Sequence, residues 1–252
     1  MNKYSLTLVG LLFVTSASLA FAQKPDALKV NGNSSAESAI PAPLPITAKS
    51  SPLELARASL LALGGDKFKN LKSLMLVGDV NFYMAATAQS MPAKFVMVTV
   101  GDKVRIDVNA GMYKLKQIFD GRQSSSSIPG LELPPASKFG LTVLAKYDQP
   151  GYTVSALPDK KKLRGFRIVD GDGNTTDFYI DPANGRVMQY IILYNGYTFG
   201  TENSKFVEVE GVLIPVSFSQ RVDGQISAMF FEYKVKDVKL NQPVGDDVFV
   251  MQ

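Results

Sequence analysis

The 252-residue chain is 46% hydrophobic and 10% aromatic, enough to bury a substantial core, and its 27 Lys and Arg against 23 Asp and Glu leave a formal charge of only +4. It contains no Cys, His or Trp. Those absences exclude Ser-His-Asp and Cys-His nucleophiles, HExxH zinc centres, iron–sulfur clusters and disulfides, and so small a charge is no argument for nucleic acid or an anionic membrane as partner.

Residues 1–22 read as a cleavable signal peptide. Lys3 supplies the basic start, Leu6 to Val14 an apolar run, and Ala20-Phe21-Ala22 the small-residue cleavage site. The run is shorter than the roughly 20 residues a bilayer span needs. No Cys stands at the cut to carry a lipid anchor, so the expectation is a soluble periplasmic protein with no transmembrane segment in the mature chain. Residues 23–51, with Pro25, Pro41, Pro43 and Pro45 among Ala and Ser, read as a disordered linker. Residues 52–252 read as one domain.

Ser51-Pro52-Leu53-Glu54 predicts a helix start, with Ser51 as cap, Pro52 at the first helical position and Glu54 completing a capping box. Leu53, Ala56, Leu60 and Leu63 follow at helical spacing, and Gly64-Gly65 supplies a left-handed stop. A short helical turn is expected over Asp66 to Asn70. From Ser73 onward the period is two, as in Val104, Ile106 and Val108 or Val212, Ile214, Val216 and Phe218. Hairpin signals separate these runs at Gly101-Asp102, Asp170 to Gly173, Asp181 to Gly185, Asn195-Gly196 and Asp223-Gly224. Roughly ten antiparallel strands result, at the spacing of an all-β sheet or barrel. Ala136 to Tyr147 interrupts them as a second helix.

Several strands are apolar without alternation: Phe95-Val96-Met97-Val98, Val187 to Tyr194 apart from Gln189, and Met229-Phe230-Phe231. Such runs need cover on both faces. A curved sheet wrapped around the helices, with an apolar hollow, accounts for them; so does an oligomer interface, or a plain core.

Other groups are weighed for chemistry. Asp170-Gly171-Asp172-Gly173-Asn174 starts like a calcium loop, but Thr175 stands where such a loop needs Gly, and a hairpin turn explains the residues better. Asp246-Asp247 reads as a turn rather than an acid/base pair, because adjacent extended residues point apart. Ser124 to Ser127, with Lys114, Lys116 or Lys138 as a base, lacks any nucleophile motif and reads as a polar loop. The one basic cluster, Lys160, Lys161, Lys162 and Arg164, is a possible head-group or partner contact. No metal site, cofactor or catalytic constellation emerges, and the expectation is a protein that is not an enzyme.

Four stretches resemble one family. Ala62-Leu63-Gly64-Gly65, then Leu71-Lys72-Ser73-Leu74 leading into Gly78, is similar to the start of LolA-type outer-membrane lipoprotein-sorting proteins. Phe178-Tyr179-Ile180-Asp181-Pro182 through Gly185 and Val187 resembles their Asp-Pro hairpin. Phe206 to Pro215 resembles their paired strands, and Val238 to Phe249, with Asn241, Pro243, Asp246 and Asp247, their ending. Together these stretches span nearly all of residues 52–252. The resemblance implies an α+β fold, mainly antiparallel β: a strongly curved half-barrel sheet packed around the N-terminal helix and the central helical insert. It also implies an apolar inner cavity for lipid or lipoprotein acyl chains.

The functional expectation is a non-enzymatic periplasmic carrier or receptor for lipid or an acylated lipoprotein, served by an envelope donor or acceptor protein. The strand period assigns Val80, Phe82, Phe95, Met97, Ile106, Val108, Tyr190, Ile192, Phe218 and Phe231 to the pocket. Leu60, Leu63, Phe139 and Val143 are its expected lid or plug. The alternative is an interaction or sensor module with the same fold and a filled interior.

Overall fold

The computed structural model describes residues 44–84, 90–128, 134–224 and 228–251; the expected signal peptide and most of the expected linker lie outside them. Helix α1, Pro52–Leu63, begins as the local signals require. Ser51 Oγ accepts from the Glu54 amide at 3.3 Å, and Glu54 Oε2 accepts from the Ser51 amide at 2.6 Å. This reciprocal cap satisfies two end donors and contributes about 1 kcal/mol. Gly64 ends the helix at φ 118°, and a Cβ there would meet the Gly211 carbonyl oxygen at 2.5 Å. The buried face is Leu55, Ser59, Leu60, Ala62 and Leu63, while Leu53 is 55% exposed. The expected stripe therefore holds at Ala56, Leu60 and Leu63 but not at Leu53, whose place is taken by Leu55. Helix α2, Asp66–Lys69, follows directly.

Twelve strands follow: β1 Ser73–Met84, β2 Ser90–Val100, β3 Lys103–Ala110, β4 Tyr113–Phe119, β5 Ser124–Ser126, β6 Thr153–Ala156, β7 Arg164–Val169, β8 Thr175–Ile180, β9 Val187–Tyr194, β10 Tyr197–Val209, β11 Val212–Asp223 and β12 Ala228–Leu240. They form one antiparallel sheet in the order β5-β4-β3-β2-β1-β12-β11-β10-β9-β8-β7-β6. Every sequential neighbour is a hairpin except β5 to β6, and the seam is β1 against β12. The sheet is open, with β5 and β6 as its edges, and it curves through bulges in β9, β10, β11 and β12. The Ser124 stretch, expected as a loop, is the edge strand β5, paired through Gln117↔Ser126.

The expected helix over Ala136 to Tyr147 is instead two 3₁₀ turns, Ala136–Lys138 and Gly140–Ala145. Phe139 between them is extended and Gly140 sits at φ 66°, so no α-helix runs through. The insert touches both β3 and β9 and so bridges the two wings of the sheet on its concave face.

Two cores lie on that face. Under α1, Leu55, Leu60, Leu63, Val143 and Leu144 pack on Phe166, Ile168, Phe178 and Ile180 of β7 and β8. Phe166 and Phe178 stack at 5.1 Å with neither exposed, each worth about 2–3 kcal/mol of burial. Around the seam, Val80, Phe95, Phe231 and Tyr233 form the other.

The convex face explains the apolar β2 run. Val98, with Val96 beside it, is covered by Phe249 from a C-terminal 3₁₀ turn, Asp246–Phe249. Lys103 Nζ pairs with Asp246 at 2.6 Å, and Arg105 Nη1 donates to the Val248 carbonyl at 2.6 Å, fastening that turn to β3. Strand β9 does not have the cover expected for it: Leu193, on the convex side, is 58% exposed.

Candidate functional site

A cavity of about 390 Å³ lies between the concave sheet face and the 3₁₀ insert. Its floor is Leu74, Met97 and Ile106 from β1 to β3 on one side and Tyr190, Ile192 and Phe199 from β9 and β10 on the other. These residues share a face because strand period and register align them: Met97 is opposite both Leu76 and Ile106, and Ile192 is opposite Phe199. The roof is Phe139, Gly140 and Leu141.

The roof is pinned at several points. The Gly140 amide donates to Thr176 Oγ1 at 3.2 Å, and Phe139 meets the Tyr194 ring edge-on at 5.4 Å. Lys146 Nζ donates to the Ser137 carbonyl at 3.1 Å, and Lys138 pairs with Asp172. A Cβ on Gly140 would lie 3.5 Å from the Tyr190 ring, so the insert backbone rests directly on the floor.

The floor and roof carry no charged group; the polar lining residues include Tyr190, Gln220 and Thr99. Burial raises the Tyr190 hydroxyl above its ordinary pKa, opposed by the neighbouring Thr201 hydroxyl. Thr201 Oγ1 nonetheless lacks a hydrogen bond of normal geometry among the described residues. Burial also raises Tyr233, and Tyr190 nearby adds to the shift. Both phenols are therefore neutral throughout the physiological range. The charged lining residues are Lys69, Lys72, Asp102 and Lys146, of which the first three are exposed and mark the mouth.

The structure divides the expected pocket residues. Met97, Ile106, Tyr190 and Ile192 line the cavity. Val80, Phe82, Phe95, Val108, Phe218 and Phe231 lie on the same face but belong to the packed seam core. There the aromatic rings fill the concavity: Phe82 stacks on Phe231 at 4.9 Å, Phe218 on Tyr233 at 4.6 Å, and Phe95 meets Tyr233 edge-on at 5.0 Å. Of the expected lid, only Phe139 faces the cavity; Leu60 and Leu63 of α1, with Val143, are buried in the core between α1 and strands β7 and β8. Leu71, Leu74, Phe199 and Leu141 were not singled out by sequence, although the alternation Tyr197, Phe199, Thr201 carried the signal for Phe199.

The basic cluster lies away from this mouth. Lys160 sits 5.4 Å over the Tyr179 ring and donates to Gln189 at 2.7 Å, both on the face opposite Phe178 and Tyr190. Arg164 is engaged structurally, with Asp159 at 3.2 Å and the carbonyls of Thr47 and Ser50. Lys161, at φ 58°, and Lys162 are exposed in the turn. The Asp170 loop closes on itself: its carboxylate accepts from the amides of Asp172 at 3.0 Å and Asn174 at 2.9 Å. Among the described residues no three Asp or Glu side chains come together as a metal site. Nor is any described helix long and apolar enough to cross a membrane.

Fold and site together define an open, curved antiparallel sheet with a roofed apolar cavity on its concave face. No protein-family model and no curated protein matches the sequence. Among solved structures the chain is similar to a LolA superfamily protein from Nitrosomonas europaea, with 13% identity, TM-score 0.49, and 78% of this chain and 97% of that one covered. It is also similar to a domain named for outer membrane lipoprotein sorting from Vibrio parahaemolyticus, with 9% identity, TM-score 0.47, and 81% and 97% covered. A third likeness is to a DUF1329 family protein from Desulfovibrio piger, with 6% identity, TM-score 0.45, and 80% and 98% covered.

Proposed function

We propose that the protein is a non-enzymatic periplasmic carrier or receptor that holds an apolar ligand, a lipid or the acyl chain of a lipoprotein, in the cavity beneath the 3₁₀ insert. The observation that carries this reading is the cavity itself: about 390 Å³, within the size range of ligand pockets, with a floor and roof free of charge. Moving an acyl chain through water exposes methylenes at about 0.8 kcal/mol each, and an apolar hollow on a protein removes that cost. The tyrosine hydroxyls, neutral at physiological pH, leave the interior suited to such a chain.

Native mass spectrometry on the full chain, purified from periplasm without detergent, tests this. The expected spectrum contains an added mass that extracts as lipid and is lost in Ile106→Asp. The same mass should persist in Leu193→Asp, which changes an exposed convex-face residue. A bare polypeptide mass that takes up no offered lysolipid would overturn the reading.

A further inference from the structure

We infer that the ligand is an anionic amphiphile, its head group held at the cavity mouth by Lys69, Lys72 and Lys146. The inference rests on the carrier reading and adds the chemical class of the ligand. The charge that lines the cavity is three amines, the exposed Lys69 and Lys72 at the mouth and the half-buried Lys146, against the one carboxylate of Asp102. An acyl tail between the uncharged floor and roof necessarily leaves its head group among them.

The three amines are held differently. Lys146 Nζ is oriented by its bond to the Ser137 carbonyl, which leaves further N–H groups to donate. Lys69 Nζ is 3.4 Å from Asp148 and 6.0 Å from the Tyr147 ring centre, a long exposed pair that is weak in water. Lys72 is anchored through its backbone, whose amide donates to Asn241 Oδ1 at 3.0 Å, and its side chain is exposed. A phosphate or carboxylate at the mouth meets this excess positive charge, whereas a choline head group brings a cation of its own.

The test is displacement of N-phenyl-1-naphthylamine, a neutral dye, from the full chain by lysophosphatidylglycerol and by lysophosphatidylcholine of the same tail, both below micelle formation. The expected result is about tenfold tighter binding of the anionic lipid, the ratio of the two affinities falling to near parity in K69Q/K72Q. The preference should also shrink as salt is raised. In K160Q/K161Q/K162Q, altered on the turn away from the mouth, it should be retained. Circular dichroism of each variant confirms folding. Equal affinity for the two lipids in the unaltered protein, or a preference that survives K69Q/K72Q, overturns the head-group assignment and leaves the carrier reading standing. Failure of the dye and both lipids to bind overturns the carrier reading itself, and this inference with it.

Discussion

A Cβ built on Gly78 would stand 2.1 Å from the carbonyl oxygen of Lys234. Gly78 pairs with Val235, the residue after Lys234, where the register shifts between Val77 and Gly78 on the seam at which β1 meets β12 and the two wings of the sheet join. No side chain fits there unless backbone moves. Gly78→Ala is expected to lower stability by about 2–3 kcal/mol. Urea unfolding followed by circular dichroism measures this, since the chain has no Trp to report by fluorescence. An unchanged midpoint would mean that the seam strands are not this close.

The C-terminal 3₁₀ turn makes a second prediction. Phe249 is 4% exposed against Val98 and Ile118 on the convex face. Phe249→Ala is expected to cost about 3 kcal/mol, at the lower end for a buried ring because the cluster is small. Ligand binding on the opposite face should be unaffected. If lipid uptake fell while the unfolding midpoint held, the turn would have a role in the site rather than in the fold.

Local signals were legible where a few neighbouring residues decide the outcome. Ser51 and Glu54 form their cap, and Asn195-Gly196 turns with both residues at positive φ. Strand alternation likewise placed all ten pocket candidates on the concave face. It could not say which of them face a void, because that depends on where the insert lies. Phe95 and Met97 are two residues apart on one strand and face, yet one abuts Tyr233 and the other the cavity. The insert itself was misread because an extended Phe139 and a left-handed Gly140 split a stretch whose apolar spacing looks helical. The lining lysines come from α2, from the residue before β1 and from the residue after the second 3₁₀ turn, so no local run of charge announces them.

Acid sensitivity follows from Asp79, on the convex side of β1. Hydrogen bonds from Lys236 and then Lys94 hold its carboxyl below the ordinary aspartate value of 3.8. A folded-state pKa below the unfolded one means that the ion pairs contribute fully above that value. Their contribution is lost as pH falls through the depressed pKa. Asp79→Asn should therefore be less stable than the unaltered protein at neutral pH and converge with it once the pH lies below the depressed pKa. The neutral-pH difference should narrow in roughly 1 M salt, because the carboxylate is partly exposed. A difference that is constant with pH would show that the substitution acts through packing.

Core and cavity positions should respond differently to truncation. Phe95 is 1% exposed and makes an edge-on ring contact with Tyr233, so Phe95→Ala is expected to cost about 3–5 kcal/mol. Ile106 is half-buried with one side already facing empty space, so fewer packed contacts are lost and Ile106→Ala should cost only about 1–2 kcal/mol. The same change enlarges the cavity. Displacement of the neutral dye by lysolipids of increasing tail length should then move its optimum toward longer or bulkier tails in Ile106→Ala. Phe95→Ala, where it remains folded, should weaken binding by loosening the floor. Equal losses of stability at the two positions would place Ile106 in the core and make the cavity smaller than its geometry indicates.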